Sequence, residues 1–540
     1  MPGMFANPLF ELRDYEEFYR AFTKGDHAVG LTGCVDSQKV HLMSTFLGER
    51  TFQLVVTYNE QRAREIMEDY RLFTNNVYVL PPRDLIFFQA DLQSNTITQE
   101  RMKAIRAILS EEACVIITTM DGLMNALAPL SSIKKAVLHL QEQDTIDLEE
   151  LSHSLILAGY DRVGRVELAG QFAVHGGIID IFPFTEDTPV RMELWGDEID
   201  SIRYFDALSQ RSIEQIPEVT VYPATELVLT DDQRLAGYRR IETELKKQTE
   251  IFRKKKEQEK AKRLAAELAL ILEELKEEMI LTAPDAFVTY FYEETARFLD
   301  YFPQEDTLIF LDEPIRLQER GDGILAEFEE SMKNRLEQGY LLPGQADILA
   351  SAKQTLAALA HGQVAGMSSL DNRMGNLTVR DSFALTVQNM STYKNSFEML
   401  IDDLKRWKKE KYRIVLLCPS RTKGQRMVSQ LVDEGLLAYY SEEEEKEINP
   451  GEIMVTYGNL HRGFLYPMLK FAVITDSDLF GIKKKKRERK SQYQGMKIQQ
   501  FSDLKPGDYV VHESYGLGIY RGTFKQVIDR VTKDFIKIEY

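Results

Sequence analysis

Cysteine is almost absent from this chain. Cys34, Cys114 and Cys418 stand far apart in 540 residues, with no C-x-x-C pair and no histidine cluster beside them. That spacing argues against a disulfide framework and a zinc site, and it suits a reducing compartment. Long apolar runs are missing too. No stretch approaches the roughly 18 consecutive apolar residues of a membrane span, and the start, Met1 to Leu9, lacks the basic segment and apolar core of a secretory leader. A cytoplasmic protein with no membrane partner is expected. Positive charge is in deficit as well, 67 Lys and Arg against 85 Asp and Glu, a net charge of −18. A surface of that sign disfavours wrapping nucleic acid as a whole, so any such contact must be local.

Residues 30 to 37, Gly30-Leu31-Thr32-Gly33-Cys34-Val35-Asp36-Ser37, have the outline of a phosphate-binding loop with two parts missing. A loop of the G-x-x-x-x-G-K-[ST] kind needs a second glycine, so that backbone N–H groups close on the phosphates, and a lysine that reaches the β and γ phosphates. Val35 and Asp36 occupy those places. A β-branched residue resists the positive φ of such a nest, and an aspartate repels a polyphosphate. No ATP hydrolysis is expected here, and turn glycines after a strand are the plain alternative for Gly30 and Gly33. The apolar run Thr307 to Glu313 ends in Asp312-Glu313. In nucleotide hydrolases such a pair meets Mg²⁺ and water; without a competent loop it reads as a strand end before Pro314, or as a relic of that chemistry.

The composition is 44% apolar and 28% charged, and 540 residues imply several domains of about 100 to 200 residues each. The first 120 residues alternate helical and strand patterns: a helix over Tyr15 to Thr23, strands at Ala28 to Thr32 and Phe52 to Thr57, a helix over Gln61 to Tyr70, then strands at Val77 to Leu80 and Cys114 to Thr119. This predicts a mainly parallel sheet. From about Asp147 the texture changes. A helix over Leu148 to Gly159 precedes short strands at Arg165 to Leu168, Gly176 to Phe182, Val190 to Leu194 and Ile199 to Phe205, a small mixed domain inserted in the first. Asp231 to Glu278 reads as long charged helices. A further α/β unit follows from Tyr393, with helices at Met399 to Lys408 and Thr422 to Glu434 and strands at Tyr412 to Cys418, Glu452 to Thr456 and Phe471 to Thr475. The charge runs Glu442 to Glu447 and Lys483 to Lys490 read as solvated loop or linker. The latter has no interleaved aromatics for base stacking, so a connector is preferred there to a DNA contact. Leu504 to His512 and Gly516 to Tyr520 have the close turns of a small barrel. The chain stops within an apparent strand, Phe535 to Tyr540, from which a longer natural polypeptide is expected.

The segment Gly170-Gln171-Phe172-Ala173-Val174-His175-Gly176-Gly177-Ile178-Ile179-Asp180-Ile181-Phe182-Pro183, followed by Pro189 to Arg203, Phe205-Asp206 and Gln210-Arg211-Ser212, resembles the UvrA-binding domain shared by UvrB and the bacterial transcription-repair coupling factors of the Mfd family. Pro506-Gly507-Asp508-Tyr509-Val510-Val511-His512 and Gly516-x-Gly518-x-Tyr520 resemble the RNA-polymerase-interacting domain of that family, which UvrB lacks. The resemblance implies an α/β multidomain protein: a UvrB-like, RecA-like domain with a degenerate P-loop over 1–145 and 223–385, an inserted α+β UvrA-binding domain over 146–222, a small α/β domain of unknown role over 386–482, a charged linker over 483–500, and the truncated start of a CarD- or Tudor-like small β-barrel over 501–540. It implies UvrA and the RNA polymerase β subunit as partners. DNA contact would lie mainly in motor domains beyond this chain, which in the family also hold ATP and Mg²⁺, so no cofactor is expected here. The function implied is that of a scaffold coupling stalled transcription to nucleotide excision repair. A UvrB-like damage-recognition ATPase and a short decoy that titrates UvrA are the alternatives.

By position in that family, Arg191 and Trp195 face UvrA. They lie four apart on one strand and hence on one face, and an arginine beside an aromatic makes a plausible interface hot spot. A core aromatic and a solvated arginine are the bland readings. His175 stands where the family often has arginine, and a histidine is mostly neutral near pH 7, which weakens the charge term. Arg203 and Arg211 are secondary candidates, each with a structural salt bridge as the preferred reading. For the polymerase, main-chain strand addition along Phe524, Lys525, Gln526, Val527 and Ile528 is expected.

Overall fold

A computed structural model of the chain describes residues 7–25, 27–83, 95–277, 281, 284–370, 374–393, 396–443, 446–481, 509–512, 516–528 and 531–539. The structure falls into two compact units, one of residues 1–267 and 283–482, the other of 268–282 and 483–540.

The first unit is built on a seven-stranded sheet. Chain order supplies β1 (Val29–Thr32), β2 (Phe52–Thr57), β3 (Val77–Leu80) and β4 (Cys114–Thr119). The inserted segment then contributes β5 (Leu138–Gln141), β6 (Asp161–Arg162), β7 (Gln171–His175), β8 (Ile178–Ile181), β9 (Val190–Trp195), β10 (Glu198–Phe205), β11 (Ser212–Ile216) and β12 (Glu218–Val221). β13 (Thr307–Asp312), β14 (Gln363–Ser368) and β15 (Asp381–Ala384) return to the first sheet, whose order is β15-β1-β14-β13-β2-β4-β3, parallel throughout. Every residue of β1, β2, β4 and β13 is buried, as a parallel sheet covered on both faces requires.

What covers the two faces follows from side-chain alternation. Leu54, Val56, Ile116, Ile309 and Leu311 point one way, into a core that continues through Phe172, Ile179, Met192 and Ile202 of the inserted segment. Val55, Val115, Ile117, Leu308 and Phe310 point the other way. Their core includes Val415, Leu417, Met454, Phe464 and Val473 of the 386–482 segment. That segment forms β16 (Gln388–Asn389), β17 (Arg413–Cys418), β18 (Ala438–Tyr440), β19 (Ile453–Tyr457), β20 (Phe464–Tyr466) and β21 (Phe471–Ile474), ordered β16-β20-β21-β17-β19-β18. Both outlying segments therefore share a core with the central sheet.

The inserted segment is a six-stranded sheet, β11-β10-β9-β8-β7-β6, joined to the body by the antiparallel pair β5 and β12. The strand expected over Arg165 to Leu168 is a loop instead. The Gln171 side chain accepts from the Glu167 and Leu168 N–H groups, both at 2.9 Å, and holds that loop off the sheet. In the second unit, β22 (Tyr509–His512), β23 (Gly516–Ile528) and β24 (Val531–Glu539) form a three-stranded antiparallel sheet with β23 in the middle. The run Lys483 to Lys490 lies outside the described residues. Among the described residues no helix is long and apolar enough to cross a membrane.

A buried ion cluster pins the exit of the inserted segment to the body. Arg101, fully buried, donates to both oxygens of Glu226 at 2.6 and 2.9 Å and to the Pro81 carbonyl at 2.6 Å. Arg83 adds a contact to Glu226 at 2.7 Å and pairs with Asp285. Burial alone pushes the Glu226 carboxyl up, but the two guanidiniums overcome it and hold the group at about 2, against 4.5 ordinarily. A depressed carboxylate stabilises the fold above its unfolded pKa and loses that stabilisation as pH falls towards its folded one, here between about 4.5 and 2. Replacing Glu226 with Gln strands two buried cations, and a loss of about 3 kcal/mol at pH 7 is expected. Urea unfolding from pH 7 to 2 checks both effects: the variant is weaker at pH 7 and loses less stability across the acid limb.

Candidate functional site

The parallel arrangement carries the carboxyl ends of β1 and β13 to one edge of the sheet, with β14 between them, the kind of crevice where open α/β sheets bind ligands. Gly33 follows β1 with φ +78, and a Cβ there would stand 1.9 Å from the Leu385 carbonyl oxygen, so only glycine fits. Val35 then has φ −127, an extended residue that leads straight into the helix Asp36–Ser44. The conflict expected between Val35 and a positive-φ nest does not arise, because the chain makes no second left-handed turn there.

Lys39, one turn into that helix, is the residue sequence reasoning missed. Its ammonium lies 2.6 Å from Asp312 Oδ1 and 2.6 Å from Glu313 Oε1, with the lysine side chain 4% exposed and that of Asp312 2%. Thr57 donates to Asp312 Oδ2 at 2.9 Å, and Arg62 approaches the same oxygen at 3.4 Å. Burial pulls the Lys39 ammonium down, yet Asp312 and Glu313 together hold it above its ordinary value. Burial likewise pushes Asp312 up, and Lys39 and Arg62 bring it below the usual carboxylate range. The acidic pair expected from sequence is thus assembled and already engaged by the chain's own cations, Lys39 on both carboxylates and Arg62 on Asp312.

Residues 458 to 463, between β19 and β20, pack against the start of the helix Asp36–Ser44. Arg462 bonds Asp36 Oδ2 at 3.1 Å through its guanidinium and Ser37 Oγ at 3.0 Å through its backbone N–H. The His461 N–H donates to Asp69 Oδ1 at 2.7 Å. Gly463 is confined, since a Cβ there would meet Asp478 Oδ2 at 2.3 Å and the Val473 carbonyl at 2.4 Å. All residues from Ser37 to Ser44 are buried, and Gln38 donates to the Tyr466 hydroxyl at 2.8 Å.

On the inserted sheet the register sets Asp180, Arg191 and Arg203 side by side on the face away from the main core. Arg191 grips Asp180 through two bonds, at 2.7 and 2.8 Å, reaches Gln210 Oε1 at 3.2 Å, and stacks over the Phe205 ring at 4.7 Å. Phe205 is itself buried with Val166 and Ala173. Arg191 is therefore a rivet in a small secondary core, with only 21% of its side chain exposed, which corrects the expectation of an open contact residue. Trp195 is the reverse: at the tip of the β9–β10 hairpin, before Gly196 at φ +71, it is 84% exposed, so the core-aromatic reading fails. Arg203 pairs with Glu193 at 2.8 Å, the preferred reading for it. Arg211 is exposed. His175, also exposed, donates from Nε2 to the Gly164 carbonyl at 2.8 Å. Leu208, exposed at 86%, and Leu168, at 66%, are apolar surface that no sequence pattern marked.

In the second unit, Phe524 to Ile528 pairs with β24 from Phe524↔Phe535 to Ile528↔Val531, whereas β22 pairs only with residues 516 to 519. Along 524–528, β23 has no second neighbour among the described residues.

Replacing Lys39 with Met would leave Asp312 and Glu313 buried without their cation. A loss of about 3 to 5 kcal/mol is expected, read as an earlier first transition in urea unfolding followed by tryptophan fluorescence and circular dichroism.

Comparison with known proteins agrees with this geometry. Residues 138–227 match the UvrB interaction domain, and residues 504–540 match the CarD-like/TRCF RID domain. A transcription-repair-coupling factor of Bacillus subtilis is 28% identical, over 95% of this chain and 43% of its own length. One from Staphylococcus epidermidis is 28% identical over 100% of this chain and 46% of its own length, and one from Staphylococcus aureus 27% identical over 94% and 43%. The chain spans somewhat less than half the length of these relatives. With both domain matches in place and the alignment running nearly end to end, the chain is similar to transcription-repair-coupling factors over nearly its whole length.

Proposed function

We propose that this chain is the scaffold portion of a transcription-repair coupling factor, recruiting UvrA through residues 138–227 and docking on RNA polymerase through the sheet of the second unit. The observation that carries the reading is Trp195, a large aromatic held in solvent at the tip of a rigid hairpin, within the segment that matches the UvrB interaction domain. A tryptophan so placed offers a partner large apolar area with little conformational entropy to lose. The Arg191–Asp180 rivet supports that hairpin from below, and Arg211 and His175 contribute exposed polar rim. For the polymerase, the side of β23 at Phe524 to Ile528 that has no neighbour among the described residues supports strand addition to the β subunit, in which main-chain hydrogen bonds supply the affinity.

The crevice at β1 and β13 takes no part in nucleotide chemistry. Lys39 pairs with Asp312 and Glu313, Asp36 stands where a phosphate-binding lysine is required, and residues 458–463 pack against the start of the helix that carries Lys39. This supports a degenerate phosphate loop and opposes a UvrB-like ATPase acting alone.

Purified UvrA titrated against this chain by isothermal calorimetry tests the recruitment role. Trp195→Ala is expected to weaken binding by about 2 kcal/mol, roughly thirtyfold, with unchanged thermal stability. Arg191→Ala is expected to lower the unfolding midpoint as well, because it strands the buried Asp180 carboxylate. Equal affinity for the unmutated chain and Trp195→Ala would sink the assignment of that surface. In a second experiment, Val35→Gly/Asp36→Lys restores the outline of a phosphate loop. It is expected to bind no MgATP in the same calorimeter, since Lys39 and residues 458–463 remain in place; heat of binding at micromolar affinity would refute the closed-site reading.

A further inference from the structure

The helices Asp231–Lys254 and Gln258–Glu267 turn on each other at Arg253-Lys254-Lys255-Lys256. All four side chains are exposed, and none of them makes an ion pair or hydrogen bond among the described residues, while Glu257 and Glu259 beside them are engaged by Lys260 and Lys262. From Lys247 to Arg263 eight Lys and Arg face three Glu, in a chain whose overall charge is −18. The corner closes with the Glu257 N–H on the Phe252 carbonyl at 2.9 Å and the Lys256 N–H on the Arg253 carbonyl at 3.0 Å, which puts Lys256 at φ +64. Glycine adopts that conformation without steric cost and is the usual residue there; the helix Pro314–Gln338 ends in this way, on Gly339 at φ +75. A lysine in its place gives up backbone ease for a side-chain charge.

We propose that this corner is a docking point for the phosphate backbone of duplex DNA. Arg253 and Lys254 close the helix while Lys255 and Lys256 turn off its end, and the long stems of the four let the cations follow closely spaced phosphates and displace the counterions held there. An acidic protein surface fits less well. A protein interface needs apolar or aromatic anchors, and the apolar residues flanking the corner are turned inward, Phe252 at 8% exposure and Leu264 at 0%. The same lack of exposed aromatics disfavours single strands, which bind by base stacking. The contact is backbone-directed and therefore independent of sequence. It gives a scaffold of net negative charge a local point of attraction to the template.

The test is fluorescence anisotropy of a labelled random-sequence duplex with the full chain across a salt series, beside Arg253→Gln/Lys254→Gln/Lys255→Gln/Lys256→Gln. The intact chain is expected to bind, and the slope of log affinity on log salt is expected to flatten by about 3 in the variant, with the unfolding midpoint unchanged. Lys256→Gly separates the corner's two roles, since it is expected to raise the unfolding midpoint while weakening duplex binding. Equal slope and affinity for the intact chain and the fourfold variant, or no duplex binding by the intact chain, overturn the proposal. Binding of polyglutamate in place of duplex also overturns it and moves the corner to an acidic protein partner.

Discussion

Two carboxylates at the end of a buried parallel strand are untenable without a cation, and this molecule is organised around the lysine that supplies one. Asp312 is nearly inaccessible, and Glu313 follows it at φ +58, positioned by the close passage of β14. Lys39 reaches both from the helix after β1. Holding it there draws that helix fully into the interior, where its outer side meets Tyr466 and the residues of 458–463. The crevice at the strand ends thereby becomes a joint between two α/β layers. The Asp312 and Glu313 carboxylates, which in an open crevice would be solvated or ligand-bound, are engaged by the chain itself.

That joint explains why the 386–482 segment behaves as part of the body. Its strands contribute Val415, Leu417, Met454 and Phe464 to the same core as Val55, Ile117 and Phe310 of the central sheet. The inserted segment does the same on the opposite face. The central sheet is the middle layer of the first unit, and each face specifies a different neighbour through simple alternation of inward and outward side chains. The groups proposed to meet partners are correspondingly peripheral. Trp195 lies at a hairpin tip, Arg253 to Lys256 at a helix corner, and Arg191, although on the same strand face as Trp195, is spent on holding that hairpin's sheet together.

Much of the secondary structure was legible in the residues. Val77–Leu80, Phe52–Thr57 and Cys114–Thr119 appear where β-branched and apolar runs between turn signals put them. The two helices expected in the 386–482 segment, found at Phe397–Lys409 and Arg421–Asp433, agree within two residues, while the short helix Asp476–Phe480 was not expected. Other elements carried weak local signal. β14, Gln-Val-Ala-Gly-Met-Ser, has one β-branched residue and an internal glycine, and it is a strand because β1 and β13 pair with it on both sides. Arg165 to Leu168 looked like a strand and is not, because a glutamine three residues on competes for its backbone N–H groups.

The sequence by itself determined the alternation of strands and helices, the absence of a lysine at Asp36, and the long motif from Gly170 to Ser212 that marks the inserted segment as similar to the UvrB interaction domain. Those properties live in nearest neighbours and fixed spacings. Tertiary structure alone decided that Lys39 pairs with carboxylates 273 and 274 positions away, that Arg191 is a rivet while Trp195 is open to solvent, and that the 386–482 segment shares a core with the central sheet. The reason is physical: a charge or an aromatic ring has no local signature of what it will touch, and its role is settled only when folding brings its partner, or water, against it.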